Sequence, residues 1–248
     1  MAKSSNGTSE TPADECHVFK LGPVYVGKGL SGKMLKARFG HHVHQIIIGD
    51  LVRSRLEDDL EFAKEFGLML SNRDLLPDPV VTPMARACYE AGRSTGCSLF
   101  EWDGFGRTGM QIESLIKWGF LNPLNTRCLI LEADDETCWQ RYLHSLENKT
   151  RKHRNDVSNA NFKKAMALYK WHRPFVLEAL ETAGVKPVFI DANQELETVA
   201  NLVVGHALEL HYPLGWPKSA PRQKTSDLVT PESVGFWTHL KGLRQTAF

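Results

Sequence analysis

Gly22, Gly27, Lys28 and Gly29 stand in the run Leu21-Gly22-Pro23-Val24-Tyr25-Val26-Gly27-Lys28-Gly29-Leu30-Ser31-Gly32-Lys33, and their types and spacing are those of a phosphate-binding loop. Backbone N–H groups of such a loop converge on an anion, and a helix start beyond it adds partial positive charge. Lys28 can then reach the outer phosphates of a nucleotide. The spacing Gly22-x4-Gly27-Lys28 fits a P-loop, with Gly29 rather than Ser or Thr as the next residue. The same glycines would equally serve a plain strand-to-helix turn. Two further stretches tilt the balance. Ile46-Ile47-Ile48-Gly49-Asp50-Leu51-Val52-Arg53 and Trp102-Asp103-Gly104-Phe105-Gly106-Arg107-Thr108-Gly109-Met110-Gln111 each place an acid and an arginine just after an apolar run. Three such sites in chain order point to phosphate chemistry.

These residues need elements to position them. Residues 17–21 read as a strand, 33–39 as a helix after the loop, and 43–48 as a β-branched strand ending at Gly49-Asp50. Residues 51–67 suit one or two amphipathic helices, which Pro77 and Pro79 must end. A helix over 80–92 precedes a short strand over 97–102 that delivers Asp103 and Arg107 at its C-terminal end. Then come a helix (108–118), a strand (127–132), a helix (135–146), a basic loop (149–156), a long helix (159–183) kinked or offset near Pro174, a strand (185–190) and a last helix (196–211). Strands alternating with helices imply a parallel sheet covered on both faces, with ligands gathered at the strands' C-terminal ends. All three motif loops fall there.

The chain has 248 residues, 42% of them hydrophobic and 24% charged, which is ordinary for one globular α/β domain with appendages. A formal charge of +1 gives no global argument for nucleic acid or a membrane surface, so anion binding must come from local clusters. Cys16, Cys88, Cys97, Cys128 and Cys138 are odd in number and form no CxxC pair, which favours a reducing compartment and neither a disulfide framework nor a zinc site. The expectation is a cytoplasmic protein, with no apolar run of membrane-spanning length. Residues 1–16 read as a disordered leader and 17–212 as the core. Residues 213–248 form a Pro-containing tail that packs either on the domain or on a protein partner. His41, His42 and His44 suit a polar edge or turn better than a metal site, and Asp134-Asp135-Glu136 an acid-rich helix start. Lys149 to Arg154 read as a solvated loop or a phosphate lid. Trp118, Trp139 and Trp171 are expected as core or interface anchors.

With the three motifs in order, the chain resembles the adenylate kinase family of nucleoside monophosphate kinases. Gly22-Pro23-x3-Gly27-Lys28-Gly29 resembles the family's phosphate loop, Gly49-Asp50-x2-Arg53 the opening of its monophosphate-binding segment, and Leu75-Leu76-Pro77-Asp78 the close of that segment. Asp103-Gly104-Phe105-Gly106-Arg107-Thr108-x2-Gln111 resembles its DGFPRT-x2-Q signature. The resemblance implies a P-loop three-layer α/β/α fold with a central parallel sheet, a helical insert over about 49–78 and a short lid over about 145–156. It implies an Mg²⁺-dependent transfer of the γ-phosphoryl of ATP to a nucleoside monophosphate, AMP above all. Gly22, Gly27, Lys28, Gly29, Leu30 and Arg141 would bind ATP. Arg53, Gly104, Arg107 and Gln111 would bind the acceptor, with Gln111 reading its base edge. Lys28, Arg107, Arg141, Arg154 and Asp156 would be catalytic, and Asp50 and Asp103 would orient waters on Mg²⁺. In such a transfer charge spreads over the phosphoryl oxygens, and positioned lysine, arginines and Mg²⁺ stabilise it.

The chain also departs from that pattern. Tyr25 stands where the family loop has a glycine, Leu30 where it has a threonine near Mg²⁺, Gly106 where a proline precedes the key arginine, and Ile48 where a small or hydroxyl residue is expected. Ser145 and Ala165 occupy positions at which arginines are expected. A site so depleted leaves a second reading open, a nucleotide-binding or scaffold protein that keeps the fold without the turnover.

Overall fold

The computed structural model describes residues 15–148 and 158–211. Five strands, β1 (Cys16–Leu21), β2 (Val43–Ile47), β3 (Leu99–Asp103), β4 (Thr126–Glu132) and β5 (Val188–Asp191), form one sheet in the order β2-β3-β1-β4-β5. Every pairing is parallel. Helices α1 (Lys28–Phe39), α2 (Ile48–Asp58), α3 (Leu60–Ser71), α4 (Asp78–Ser94), α5 (Gly109–Lys117), α6 (Asp135–Glu147), α7 (Asn159–Thr182) and α8 (Leu196–His211) complete the described chain. This is the P-loop-like α/β kinase fold.

Strand alternation sorts the core into two layers. Cys16 and Val18 of β1 pack with Met34 and Leu35 of α1 and with Val199 and Val203 of α8. Phe19 and Leu21 face the other way, onto Tyr89 of α4, Ile112 of α5 and Leu180 of α7. The second layer is rich in rings: His17 stacks on Phe120 at 4.6 Å between centroids, and the Arg86 guanidinium lies 5.2 Å from the Tyr89 and Phe120 ring centres. The central strand β1 is buried along its whole length, whereas the edge strands β2 and β5 are only partly covered.

Several boundaries differ from the sequence expectation, each for a physical reason. The first helix starts at Lys28 rather than Lys33. Its opening turn, Lys28-Gly29-Leu30-Ser31, has weak helix propensity, but side chains from the sheet grip it from beneath. Ile48 begins α2 instead of ending β2, so Gly49-Asp50 lies in a helical first turn. The apolar stretch after it is two helices, divided at Asp59, whose extended backbone and side chain cap α3 by accepting from Phe62 N. The last strand spans Val188–Asp191, not 185–190, since Val185 packs as a loop residue under the core. Helix α7 runs through Pro174. Trp118 and Trp139 pack against buried clusters, but Trp171 is 68% exposed. Among the described residues no helix is long and apolar enough to cross a membrane, and no three His, Cys, Asp or Glu side chains are grouped to hold a metal. Asp134 is the N-cap of α6, as its acid-rich start suggested.

Candidate functional site

The loop between β1 and α1 sits at the C-terminal end of the central strand. Gly22 has φ 144°, and a Cβ there would meet the Leu131 carbonyl oxygen at 2.5 Å, so only glycine fits. Gly27, at φ 112°, precedes α1 directly. Lys28 curls back and donates through Nζ to the carbonyl oxygens of Gly22 (2.8 Å) and Pro23 (2.6 Å). Burial pushes its ammonium down to about pKa 8; the Asp103 carboxylate opposes the drop, while Arg107 and Lys20 add to it. Lys28, Asp103 and Arg107, from the first and third motifs, thus share one electrostatic neighbourhood.

Beneath the loop lies a network that sequence reasoning missed. Lys20 of β1, 1% exposed, pairs with Glu101 of β3, 0% exposed. Its Nζ also donates to the Lys28 carbonyl at 2.6 Å and lies 3.9 Å from Asp103 Oδ2. Gln45 of β2 donates to Glu101 and to the Gly32 carbonyl. Three strands therefore tie the first turn of α1 from below. Ser31, buried, gives its hydroxyl to the Lys28 carbonyl, so it is turned into this network and not toward a cation beside Leu30. The available signal was one opposite charge in each of two neighbouring apolar strands.

In the second motif, Arg53 is ion-paired with Asp50 one turn away on α2. Arg107 folds over Gly104, where a Cβ would come within 2.9 Å of its Nη2 and where φ is 85°. Gly106 has φ 84°, a value closed to proline, so the backbone before Arg107 takes a path that the expected proline could not follow. Gln111 is 3% exposed and its amide is engaged through both its oxygen and its nitrogen. Oε1 accepts from Gly106 N and Arg107 N at 2.9 Å each, and Nε2 donates to Asp78 Oδ1 at 2.7 Å. Asp78 Oδ2 accepts from the Thr108 hydroxyl at 2.8 Å. In this arrangement Gln111 buttresses the Arg107 loop, and reading a base edge would require exchanging these bonds.

From the other side of the loop, Arg141 of α6 donates to the Val26 carbonyl (3.3 Å) and the Gln194 carbonyl (2.6 Å), bracing the loop. Tyr25 holds φ 62° and rests edge-on against Tyr142, 5.3 Å between centroids, and beside Phe162. Ser145 caps back on the Tyr142 carbonyl. Arg154 and Asp156 lie outside the described residues, as do Lys149, Arg151 and Lys152.

The donor set suits Mg²⁺ in one way only. Leu30 offers no oxygen and Ser31 is committed elsewhere, while Asp103, at the end of β3 with a side chain 16% exposed, and Asp50, in the first turn of α2 and 61% exposed, are carboxylates. Mg²⁺ is commonly held through one or two carboxylates, waters and substrate phosphates, and these residues fit that water-mediated mode.

No family model matches the chain. It is 31% identical over 130 residues to an adenylate kinase of Flavobacterium johnsoniae, covering 51% of this chain and 65% of that protein. Against an adenylate kinase of Kocuria rhizophila it is 27% identical over 159 residues, 60% of this chain and 82% of the other. The match to an adenylate kinase of Solanum tuberosum is 26% over 213 residues, 82% and 73% of the two chains. Of the first four relatives the chain covers between 37% and 65% of the length.

Proposed function

This chain is related to the adenylate kinases, and from that premise we propose that it is a nucleoside monophosphate kinase moving the γ-phosphoryl of ATP to AMP, in the cytoplasm. One observation carries the reading: at two neighbouring strand ends Lys28 Nζ is turned onto the Gly22 and Pro23 carbonyls of the loop and Arg107 folds over Gly104, with the Asp103 carboxylate favouring both charges. An ammonium and a guanidinium held together without a bound anion cost free energy that phosphate oxygens repay. Lys28 would leave the loop carbonyls for the β- and γ-phosphates. Arg53 and Arg107 would fork the acceptor's α-phosphate, a geometry that planar guanidinium suits. Asp103 and Asp50 would orient waters on Mg²⁺, which when bound neutralises phosphate charge. Arg141 would hold the loop in shape behind the donor, with Arg154 and Asp156 completing the lid by resemblance. Gln111 would keep Arg107 in place and meet the acceptor base only after releasing Asp78.

A coupled assay with ATP, Mg²⁺ and each of AMP, UMP, CMP and GMP tests the reading, with Arg107→Ala beside the parent chain. Turnover with AMP, lost about 10²–10³-fold in the variant, is the expected result. Turnover that survives Arg107→Ala unchanged would sink it. Leu30 and the inward Ser31 hydroxyl favour a second reading, a protein that binds nucleotide without turning it over. ATP binding in a titration with no product from any acceptor would select that one.

A further inference from the structure

Among the described residues two that are not glycine hold positive φ, Tyr25 at 62° and Arg73 at 61°. They lie 48 positions apart in sequence yet line the same pocket. That pocket is closed by Tyr142 of α6 and by Asn161, Phe162 and Ala165 of α7, and of the residues lining it only Arg73 carries a formal charge. Left-handed backbone at a bulky residue costs free energy and persists where the surroundings impose it, most often at ligand clamps and active sites.

The turn that carries Arg73 is held from two sides. Arg73 N donates to the Leu70 carbonyl and Asp74 N to the Met69 carbonyl, closing the end of α3. From α7, Asn161 Nδ2 donates to the Ser71 carbonyl at 3.1 Å, and Lys164 Nζ pairs with Asp74 at 2.5 Å. The insert and the long helix are thereby latched beside the phosphate loop, with Arg73 between them. Its charge is felt by Arg107, whose guanidinium it disfavours. A guanidinium that lines one pocket with Val24 and Tyr25 of the loop, within electrostatic reach of Arg107, is suited to hold an anion there. Ala165, where an arginine was expected, brings no cation to this pocket.

We propose that Arg73 is a further phosphate-binding residue, which places its guanidinium on an oxygen of the phosphoryl group passing between the two nucleotides. This rests on the two-nucleotide reading given above.

The test is calorimetric titration with diadenosine pentaphosphate, whose phosphate chain spans a donor and an acceptor site, on the full chain and on Arg73→Gly, Arg73→Gln and Arg73→Lys. Glycine suits φ 61°, so Arg73→Gly should keep the fold, with a melting temperature unchanged or raised by about 2–4 °C. It should nevertheless weaken the pentaphosphate complex about 10- to 100-fold, the worth of a charge-assisted hydrogen bond or two. Arg73→Gln should lose as much, and Arg73→Lys should recover part. Equal affinity in the parent chain and in both charge-removing variants would overturn the proposal while leaving the two-nucleotide site standing. No binding of the pentaphosphate by the parent chain, with ATP still bound, would overturn the two-nucleotide reading and this proposal with it.

Discussion

Replacing Glu101 by Leu should destabilise the protein by about 3 kcal/mol, and replacing Lys20 by Met by about 5 kcal/mol, yet making both changes should cost little. The magnitudes follow from what each change leaves behind. Without Glu101, the buried Lys20 ammonium keeps the Lys28 carbonyl at 2.6 Å, Ser31 Oγ at 3.4 Å and the Asp103 carboxylate at 3.9 Å, so its orphaning is partial. Without Lys20, the Glu101 carboxylate keeps only the Gln45 amide, and one oxygen faces a core with no donor. That deeper loss takes the upper end of the usual range for breaking a buried pair. In the double variant no charge is stranded, and Met and Leu refill similar volumes next to Val18, Met34 and Leu99. Urea unfolding of the four proteins, read by tryptophan fluorescence, gives the cycle; against a typical total of about 5–15 kcal/mol each single change is large. Additive costs, with the double variant near 8 kcal/mol, would refute the pair as the unit of stability. The double variant carries a functional consequence too. It loses the Lys20 bond to the Lys28 carbonyl, so ATP binding should weaken even where stability is restored.

ATP affinity should fall as pH rises above about 8: Lys28 in the free protein begins to lose its proton there, and phosphate binding must then take one up. Calorimetry in buffers of different ionisation enthalpy should show proton uptake at pH 9, and Lys28→Met should abolish both the uptake and the slope. His17, in the ring layer, accepts from Trp102 Nε1 through Nδ1, and burial pushes it down to about pKa 3. The unfolded chain therefore binds the extra proton between pH 6.5 and 3, so stability drops on acidification by about 1.4 kcal/mol per pH unit across that window. His17→Phe should flatten that slope in acid titrations of the urea midpoint, and an unaltered slope would contradict the assignment. Asp78→Ala should strip Gln111 and Thr108 of their shared acceptor, costing about 1–3 kcal/mol. It should also raise the KM for the acceptor by loosening Arg107; an unchanged KM with lowered stability would make Asp78 a structural residue alone.

The parallel architecture was legible because short segments rich in Val, Ile, Leu and Phe, as in residues 17–21, 43–47 and 127–132, alternate with helical patterns. The phosphate loop and the Arg107 stretch were legible from residue types and spacing. Lys20 and Glu101 were not, because a strand sequence says nothing of its neighbours: the parallel register of β1 on β3 sets Lys20 opposite Asp103 and Glu101 opposite Val18, two residues back on the same face. The start of α1 was hidden for the same reason, since its weak first turn is held by those side chains. Ile48 misled because β-branching favours strands on average, while here its burial against the insert is served by a helical turn. Gln111 was assigned to a base edge from its place in a motif; its commitment to Asp78 depends on a contact 33 residues away in sequence. Arg73 gave no signal at all, because positive φ at an arginine is not encoded by its own type.

The two glycine-related departures of the phosphate site differ in kind. At position 25, where glycine was expected, the backbone keeps φ 62°, which glycine adopts freely, and Tyr25 bears the strain. Its ring then joins the loop to Tyr142 of α6 and Phe162 of α7, so the change ties the loop to two helices without altering the loop's course. At position 106, where proline was expected, φ 84° excludes proline, so here the backbone course itself has changed. Gln111 accepts from both amides flanking that change, which is how a freed loop still holds Arg107. Tyr25→Gly should therefore loosen the coupling between the loop and these helices, raising hydrogen exchange in residues 138–146 and 159–166 while leaving β1 protected. Gly106→Pro should instead displace Arg107 and cost acceptor binding with the donor site intact. Loss of ATP binding in Gly106→Pro, or unchanged exchange in Tyr25→Gly, would show that conformation and contact had been assigned to the wrong positions.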